Sequence, residues 1–492
     1  MNSKKEIALN MFASLLVFAM NLGINFFLTP YITEKIGTEA YGFVSLANNF
    51  VNYATILTIA LNSMASRFIT IAIHKGEQKK ANIYFTSVFY ANIFIILILV
   101  IPSVILIAYL EYVLKIPEYL IFDVKVLFSL IFFNFFVSII DSTFSISTFA
   151  TNKLHLHSLR NMEGSLIKVG CLLIAFTIFK PCVFYLGIAT LISSVFLLIT
   201  DIFYTKKLIP FVKVKRIYYS FEKVKELIKA GIWNTVTKLG QLLTDGLDLI
   251  ICNLLIDSTA MGQLAISKTL AGVIVSLLST VSGVFQPQLT ISYAKNEKKV
   301  LVNQLKTAMK TTGIFINVPF CFIMIFGQAF FMLWLPNENS QLLSILTILS
   351  IQSIIISGVI TPMYSIYVIT NKIKADAIIR ILIGAISTII VFLLVKYTRL
   401  GIYAVAGVST FLSIIVNLIF VPIYTAKYCL EIKWYTFYAT IFKYIFTTGI
   451  MLVIFGTVNL LFKVNSWTML IIIGFITVII GELINYVFLL NK

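Results

Sequence analysis

The residues best suited to binding a polar ligand form a stripe along one predicted helix in the middle of the chain. They follow one another at separations of four, three, four and three positions, and they are Asn234, Lys238, Gln241, Asp245 and Asp248. Because this spacing follows the α-helical period, all five side chains project from one face of the helix. Amides, an ammonium group and carboxylates on one face can bind sugar hydroxyls, an anionic group or a cation.

The helix that carries this stripe lies in a chain built to cross a membrane. Of its 492 residues, 59% are hydrophobic and 12% are charged, and the charged share is roughly half of what a soluble protein carries. Apolar runs of about 20 residues match the thickness of the hydrocarbon core. A charged side chain at the bilayer centre costs about 2.5–3.5 kcal/mol on insertion scales, so the stripe must face water or a partner helix. The sequence therefore predicts an all-α integral membrane protein.

Fourteen transmembrane helices are predicted from the apolar runs. The predicted spans are 7–29, 40–64, 82–109, 124–149, 163–179, 183–203, 228–255, 261–287, 311–334, 342–369, 376–395, 401–424, 435–461 and 467–489. Most of the 38 basic residues fall in loops on one side, which predicts cytoplasmic N- and C-termini. The net charge of +18 is thereby interpreted as a signal for membrane orientation, and no nucleic-acid partner is expected.

The chain repeats itself at a separation of 220 residues. Residues 69–79 align without a gap with residues 289–299, and residues 40–42 align with 260–262. Repeated multi-helix halves are typical of transporters, which bind their substrate between the halves. An even number of helices in each half gives two parallel, pseudo-symmetric six-helix lobes. The predicted domains are an N-lobe at 1–205, a basic cytoplasmic linker at 206–227, a C-lobe at 228–425 and an appendage of two C-terminal helices at 435–492.

The repeat places further polar residues beside the stripe. Asn21 and Asn25 correspond to Gln241 and Asp245, and Lys268 corresponds to Asn48. The residues predicted to line a substrate cavity are Asn21, Asn25, Asn48, Asn52, Arg67, Asn234, Lys238, Gln241 and Lys268. Asp245 and Asp248 are the candidate ion-coupling residues, with Na+ or H+ as the coupling ion. In the alternative interpretation the amides only bond neighbouring helices, for about 0.6–2 kcal/mol each, and the carboxylates only neutralise the lysines.

Other polar residues are given structural roles at this stage. Arg67 and Lys168 are predicted near the ends of spans, where a long side chain reaches the interface, so a cavity role for Arg67 is the less favoured alternative. Asp141 is predicted to pair structurally, and His74, His155 and His157 are predicted in cytoplasmic loops. Nucleotide-binding, zinc-protease and serine-hydrolase motifs are not found. The sequence predicts no catalytic residue, no metal site and no cofactor.

Two short segments resemble a known transporter superfamily. The stretch Ile36-Gly-Thr-Glu-Ala-Tyr-Gly-Phe43 before an Asn-rich second helix, and Asp257-Ser-Thr-Ala-Met-Gly-Gln263 at the junction of the seventh and eighth helices, resemble the multidrug/oligosaccharidyl-lipid/polysaccharide (MOP) exporters. The predicted spans resemble those of its polysaccharide branch, which includes the Wzx-type flippases of O-antigen and capsule repeat units.

The resemblance implies a MATE-like fold and transport by alternating access in the bacterial cytoplasmic (inner) membrane. The implied cargo is an undecaprenyl-diphosphate-linked oligosaccharide for surface polysaccharide, with membrane lipids and polysaccharide polymerase machinery as partners. Lys238 and Lys268 are the positions that would supply a cationic cavity. The alternatives are a cation-coupled multidrug exporter and a lipid II flippase. Against the latter, the middle of the first helix carries only Asn21 and Asn25, whereas lipid II flippases have charged residues, notably arginines, on their first two helices.

Overall fold

The computed structural model describes residues 3–151, 153–370 and 372–490, which form helices and connecting turns without a β-strand among them. In the first half the helices are α1 Ser3–Ile36, α2 Thr38–Ala54, α3 Ile56–His74, α4 Gln78–Ala108, α5 Leu110–Val113, α6 Ile121–Phe144, α7 Ile146–Ala150, α8 Leu154–Ile178, α9 Phe184–Leu208, α10 Phe221–Gln241 and α11 Asp248–Leu255. In the second half they are α12 Ser258–Gly283, α13 Gln286–Ala294, α14 Lys298–Trp334, α15 Ser340–Ile351, α16 Ile354–Ile369, α17 Lys374–Tyr397, α18 Ile402–Ile423, α19 Tyr438–Leu461 and α20 Trp467–Asn485.

The predicted all-α membrane fold is confirmed. Within the described residues, twelve helical segments are long and apolar enough to cross a membrane. The first and seventh predicted spans also fall on helices, α1 and α10–α11, so the count of fourteen stays a prediction. The largest shift is at the ninth span, because α14 begins at Lys298, thirteen residues before the predicted start. The fifth span also begins earlier than predicted, because α8 begins at Leu154, nine residues before the predicted start.

The sequence repeat is also visible in where the helices begin. Three pairs of helix starts are each separated by 220 residues, and they are Thr38 with Ser258, Gln78 with Lys298, and Leu154 with Lys374. Equal spacing of helix starts means that the two halves divide their chain into helices at corresponding residues.

One helix end repeats down to its hydrogen bonds. Gly76 and Asn296 both have a left-handed backbone, with φ of 74° and 56°. In the first half the amide of Glu77 donates to the carbonyl of Ala72 at 2.9 Å, and the corresponding bond in the second half is 3.1 Å long. This is the Schellman ending of a helix. Glycine adopts that backbone without strain, and asparagine tolerates it better than most residues.

The helices pack into two units, Met1–Gly262 and Gln263–Lys492. The N-terminal unit contains α10 and α11 in addition to α1–α9, whereas the lobe boundary predicted from the repeat lies at 227/228. Residues 221–227, which the sequence analysis placed in the basic linker, are the first turns of α10. Packing in this structure therefore groups the seventh span with the six helices that precede it.

In the C-terminal unit the last two helices are bound into the core. Phe320 and Phe326 of α14 share a buried cluster with Phe455 of α19. At the same level Asn317 Nδ2 donates to Asn485 Oδ1 at 3.3 Å, and Thr448 Oγ1 donates to Asn317 Oδ1 at 2.7 Å. Because these amides satisfy one another away from solvent, α19 and α20 are fixed to α14 rather than loosely attached.

Candidate functional site

The helix that carries the polar stripe, α10, is anchored at its start by a small polar cluster. Tyr84 of α4 donates to Glu226 at 3.2 Å, and Lys223 donates to the same carboxylate at 2.8 Å. The hydrogen bond from Lys223 is the main cause that lowers the pKa of Glu226 below its usual value. The anchor fixes the rotation of α10 about its axis and therefore the direction in which the stripe points.

Further along, α10 packs directly against α3. Gly231 is buried, and a Cβ at this position would lie 2.8 Å from the carbonyl carbon of Ala60, closer than two carbons normally approach. Only glycine therefore permits this contact. One turn later, Asn234 Nδ2 donates to Ser63 Oγ at 3.0 Å. The first residue of the stripe thus bonds to a partner helix.

Beyond Asn234 the stripe becomes more accessible. Lys238 is half-buried, Gln241 is exposed and Asp248 is buried. Between Gln241 and Asp248 the chain forms a π-helical segment, Leu242–Gly246. Such segments often occur at functional sites, because the wider turn leaves backbone groups free. Asp245 belongs to this segment, and its side chain lies outside the part of the structure that is described.

The π-helical segment is held by α2. The Tyr53 hydroxyl donates to the carbonyl of Gly246, and Asn49 Nδ2 approaches the same oxygen at 3.5 Å. The neighbouring Asn48 donates back to Val44 O on its own helix at 2.8 Å. Asn48 and Asn52 are both exposed. The Asn-rich second helix therefore serves partly to support the π-helical segment, through Asn49, and partly presents free amide edges.

On α1, the two predicted residues differ in their environment. Asn21 Oδ1 accepts a hydrogen bond from Ser165 Oγ of α8 at 3.0 Å, whereas Asn25 is exposed. Lys168 follows Ser165 by three positions and so lies on the same side of α8. Because α8 begins at Leu154, Lys168 lies about 21 Å along its axis at 1.5 Å per residue. Lys168 therefore lies in the middle of α8, whereas the sequence predicted it near the end of a shorter span.

The remaining predicted residues lie elsewhere. Arg67 is exposed on α3, and Lys268 is half-buried on α12 in the C-terminal unit. The predicted residues of α1, α2 and α10 all belong to the N-terminal unit, whereas Lys268 belongs to the C-terminal unit. Their role as the lining of a substrate cavity stays a prediction.

Sequence reasoning also missed a cluster on other helices. His157 lies within the first turns of α8 and bonds to Asp201 of α9 at 3.0 Å, so its prediction as a solvated loop residue is wrong. Asp141 of α6 interacts electrostatically with both. The signal that could have revealed it is the presence of two carboxylates inside apolar spans, each of which needs a partner there.

These features together define a class of protein. Many apolar helices, repeated halves and polar residues concentrated on the leading helices are the construction of a multi-pass membrane transporter. Comparison with known proteins agrees, since residues 7–292, more than half of the chain, match the family described as "Polysaccharide biosynthesis protein". The chain belongs to this family, which is the polysaccharide branch of the MOP superfamily.

One relative is similar over nearly the whole length. The chain is 28% identical over 478 residues to the "Uncharacterized membrane protein EpsK" of Bacillus subtilis (strain 168), and the match covers 95% of this chain and 92% of that protein.

Solved structures of the superfamily share the fold. The structure described as "Lipid II flippase MurJ, inward closed conformation" matches with a TM-score of 0.70 at 16% identity, covering 99% of this chain and all of that one. An inward-facing multidrug resistance MATE transporter matches with a TM-score of 0.65 at 15% identity, covering 83% of this chain and 96% of that one. At such identities the likeness establishes the fold alone, and the predicted MATE-like fold is confirmed.

Proposed function

We propose that this protein moves undecaprenyl-diphosphate-linked oligosaccharide repeat units from the cytoplasmic to the outer leaflet of a bacterial cytoplasmic membrane. The observation that carries the proposal is the set of accessible polar groups on the leading helices of a polysaccharide-family transporter. Asn25, Asn52 and Gln241 are exposed and make no side-chain hydrogen bond with a described residue. Alternating access of these groups to the two leaflets would move the glycan without breaking any bond.

The physical problem for such a substrate is hydration. Each sugar hydroxyl loses several kcal/mol when it leaves water without a replacement hydrogen bond, and a diphosphate loses far more. Amides of α1, α2 and α10 would replace the water around the sugars. Lys238 and Lys268 would attract the diphosphate, with Arg67 as a further cation. An interior-negative membrane potential favours outward movement by about 2.3 kcal/mol per charge per 100 mV.

The lipid part of the substrate requires an apolar path. The C-terminal unit has a groove of about 460 Å³ lined almost entirely by apolar side chains, among them Leu270, Phe322, Phe330, Ile471 and Phe475. Phe475 and Ile471 are exposed, so the groove lies at an outer surface of this unit. A polyprenyl chain would fit such a surface, because it gains the same hydrophobic contacts there as in the bilayer.

In the proposed cycle, Asp245 and Asp248 would bind the coupling ion, Na+ or H+. Asp245 is a residue of the π-helical segment and Asp248 follows it, and α2 holds this segment through Tyr53 and Asn49. Binding of a cation there would change the charge beside the stripe that contacts the substrate. Because the π-helical segment connects α10 to α2, binding of the ion would in this proposal change the position of α10 relative to α2.

The proposal is tested in a strain that lacks the gene and therefore lacks surface glycan. We expect Lys238→Ala and Lys268→Ala each to abolish surface glycan at normal protein level, because each removes a charge that would bind the diphosphate. Lys463→Ala, which removes an exposed lysine of the connector before α20, is the matched control and should restore glycan fully. Wild-type glycan in both cavity variants would remove the cationic role of these lysines.

Two further outcomes distinguish the alternatives. Drug sensitivity of the deletion strain with intact glycan would favour a multidrug exporter. The MATE transporter covers only 83% of this chain, whereas α19 and α20 are integral to the core here, which disfavours that reading. Accumulation of lipid II after depletion of the protein would favour a lipid II flippase, whose fold spans the same helices.

A further inference from the structure

Three titratable side chains meet inside the N-terminal unit, on helices that do not carry the polar stripe. Asp141 lies on α6, His157 on α8 and Asp201 on α9. His157 Nδ1 is 3.0 Å from Asp201 Oδ2, and Asp201 is fully buried. The carboxyl group of Asp141 acts electrostatically on Asp201 and His157. Three helices are therefore joined at one point by groups that can change their charge.

Each of the two carboxyl groups has one buried oxygen that lacks a hydrogen bond within the described part of the chain. Asp141 Oδ1 and Asp201 Oδ1 are buried, and neither forms a hydrogen bond with a described residue. Two adjacent carboxylates in an apolar environment cannot both keep their charge, because each destabilises the other and neither is hydrated. One shared proton removes a charge and turns the contact into a strong O–H···O bond.

Other charged groups do not compensate the pair. The charged groups that act most on Asp141 and His157 are the other members of the trio. Charged residues on these and the neighbouring helices have other partners. Arg160 pairs with Glu163 at 2.5 Å, and Lys80 pairs with Glu77 at 3.0 Å. Glu39 accepts a hydrogen bond from Tyr119 at 2.8 Å, and His74 lies 3.0 Å from the carbonyl oxygen of Ala150. Arg67 of α3 is exposed, and Lys153, His155, Lys206 and Lys207 lie at the ends of α8 and α9.

We propose that Asp141, Asp201 and His157 form a proton-binding site in which the two carboxyl groups share one proton. His157 is 29% exposed and lies in the first turns of α8, at the end that the basic loops predict to be cytoplasmic. Its imidazole therefore connects the buried pair to that solvent. The arrangement does not have the geometry of a metal site among the described residues, which favours a proton over a metal ion as the ligand. The site is separate from the stripe and does not depend on the proposed cargo.

The consequence is a dependence of helix packing on pH. With the proton bound, α6 and α9 meet through an O–H···O⁻ hydrogen bond that carries a single negative charge. When pH rises and the proton leaves, two charges face each other between these helices, so the folded state loses stability. Stability should therefore be highest at low pH and should fall as the pair loses its proton.

Infrared spectroscopy of the full-length protein in lipid nanodiscs tests the site directly. A protonated carboxyl group has a carbonyl stretching band distinct from that of a carboxylate. We expect the wild-type protein to show this band at neutral pH and to lose it on alkaline titration. Asp141→Asn should lack the band, because the remaining Asp201 is then an ordinary ion-pair partner of His157. Glu163→Gln removes a carboxylate of the exposed ion pair on α8 and should keep the band and its titration.

Thermal unfolding between acidic and alkaline pH gives a second measurement. The wild-type melting temperature should fall as pH rises, and this fall should be lost in Asp141→Asn or, if that variant does not fold, in Asp201→Asn. The absence of a band that Asp141→Asn removes would overturn the proposal. A melting temperature raised by sodium chloride but not by choline chloride, in the wild type and not in Asp141→Asn, would instead assign the site to Na+ and overturn it as well.

Discussion

Replacing Gly231 with alanine tests whether the close contact of α10 with α3 positions the stripe. The added methyl carbon would lie 2.8 Å from the carbonyl carbon and 3.0 Å from the Cα of Ala60. Because carbons in contact are normally about 3.5–4.0 Å apart, α10 must move away by at least roughly 0.7 Å. These atoms of Ala60 belong to the backbone, which cannot rotate aside as a flexible side chain can. Overpacking of this kind costs about 1–3 kcal/mol.

The displacement would also stretch the bond between Asn234 and Ser63, which lies one turn further along the same face at 3.0 Å. We expect Gly231→Ala to lower the melting temperature of the purified protein. Unfolding can be measured by the reactivity of the thiol of Cys252 on α11, which is buried in the folded protein. Gly170→Ala is the matched control, since a Cβ on Gly170 of α8 meets nothing within 4 Å. That variant should gain about 0.5–1 kcal/mol from the better helix former. A Gly231→Ala protein as stable as the control would refute the reasoning.

Three further predictions concern other bonds. Asn317→Leu should lower the melting temperature, by about 1–3 kcal/mol of stability, because two buried polar partners lose their bonds. Arg380→Ala should cost roughly 3 kcal/mol, because it strands the buried carboxylate of Asp376 at 2.8 Å, whereas Arg380→Lys should lose less; chemical unfolding measures both. A double-mutant cycle of Asn234→Ala with Ser63→Ala should give a coupling energy of about 0.6 kcal/mol, and additive effects would show that the two side chains do not interact.

Much of the fold could be predicted because two physical signals extend over the whole chain. Apolar run length marked most of the helices, and the repeat related the two halves of the chain. The matched starts of α4 and α14 became visible only in the structure. The helical period alone predicted that Asn234 and Gln241 share one face of a helix. In the structure this period continues as far as Gln241, after which the π-helical segment begins. These features depend on local sequence and on the bilayer, so no knowledge of packing is needed.

What could not be predicted depends on contacts between distant segments. The window 154–162 contains His155, His157 and Arg160 and therefore looks too polar to continue a span. In the structure this window is helical, and Asp201 of α9 accepts a hydrogen bond from His157 and so supplies a partner for one of its polar residues. The same error moved Lys168 from the middle of α8 to its end. Hydropathy carries no information about partners on other helices.

The polar residues of the N-terminal unit separate into two groups by what they bind. Asn92 of α4 is fully buried, and its amide donates to Asn62 at 3.1 Å and to Thr143 at 3.0 Å. Such residues join helices and would do so in any membrane bundle. Asn25 and Gln241 are exposed and without a side-chain bond to a described residue. If these side chains were in contact with acyl chains, each amide would lose its hydrogen bonds to water without replacement, at a cost of several kcal/mol. We infer that water or a polar ligand meets them, so the search for the substrate path begins at these two residues and not at the buried asparagines.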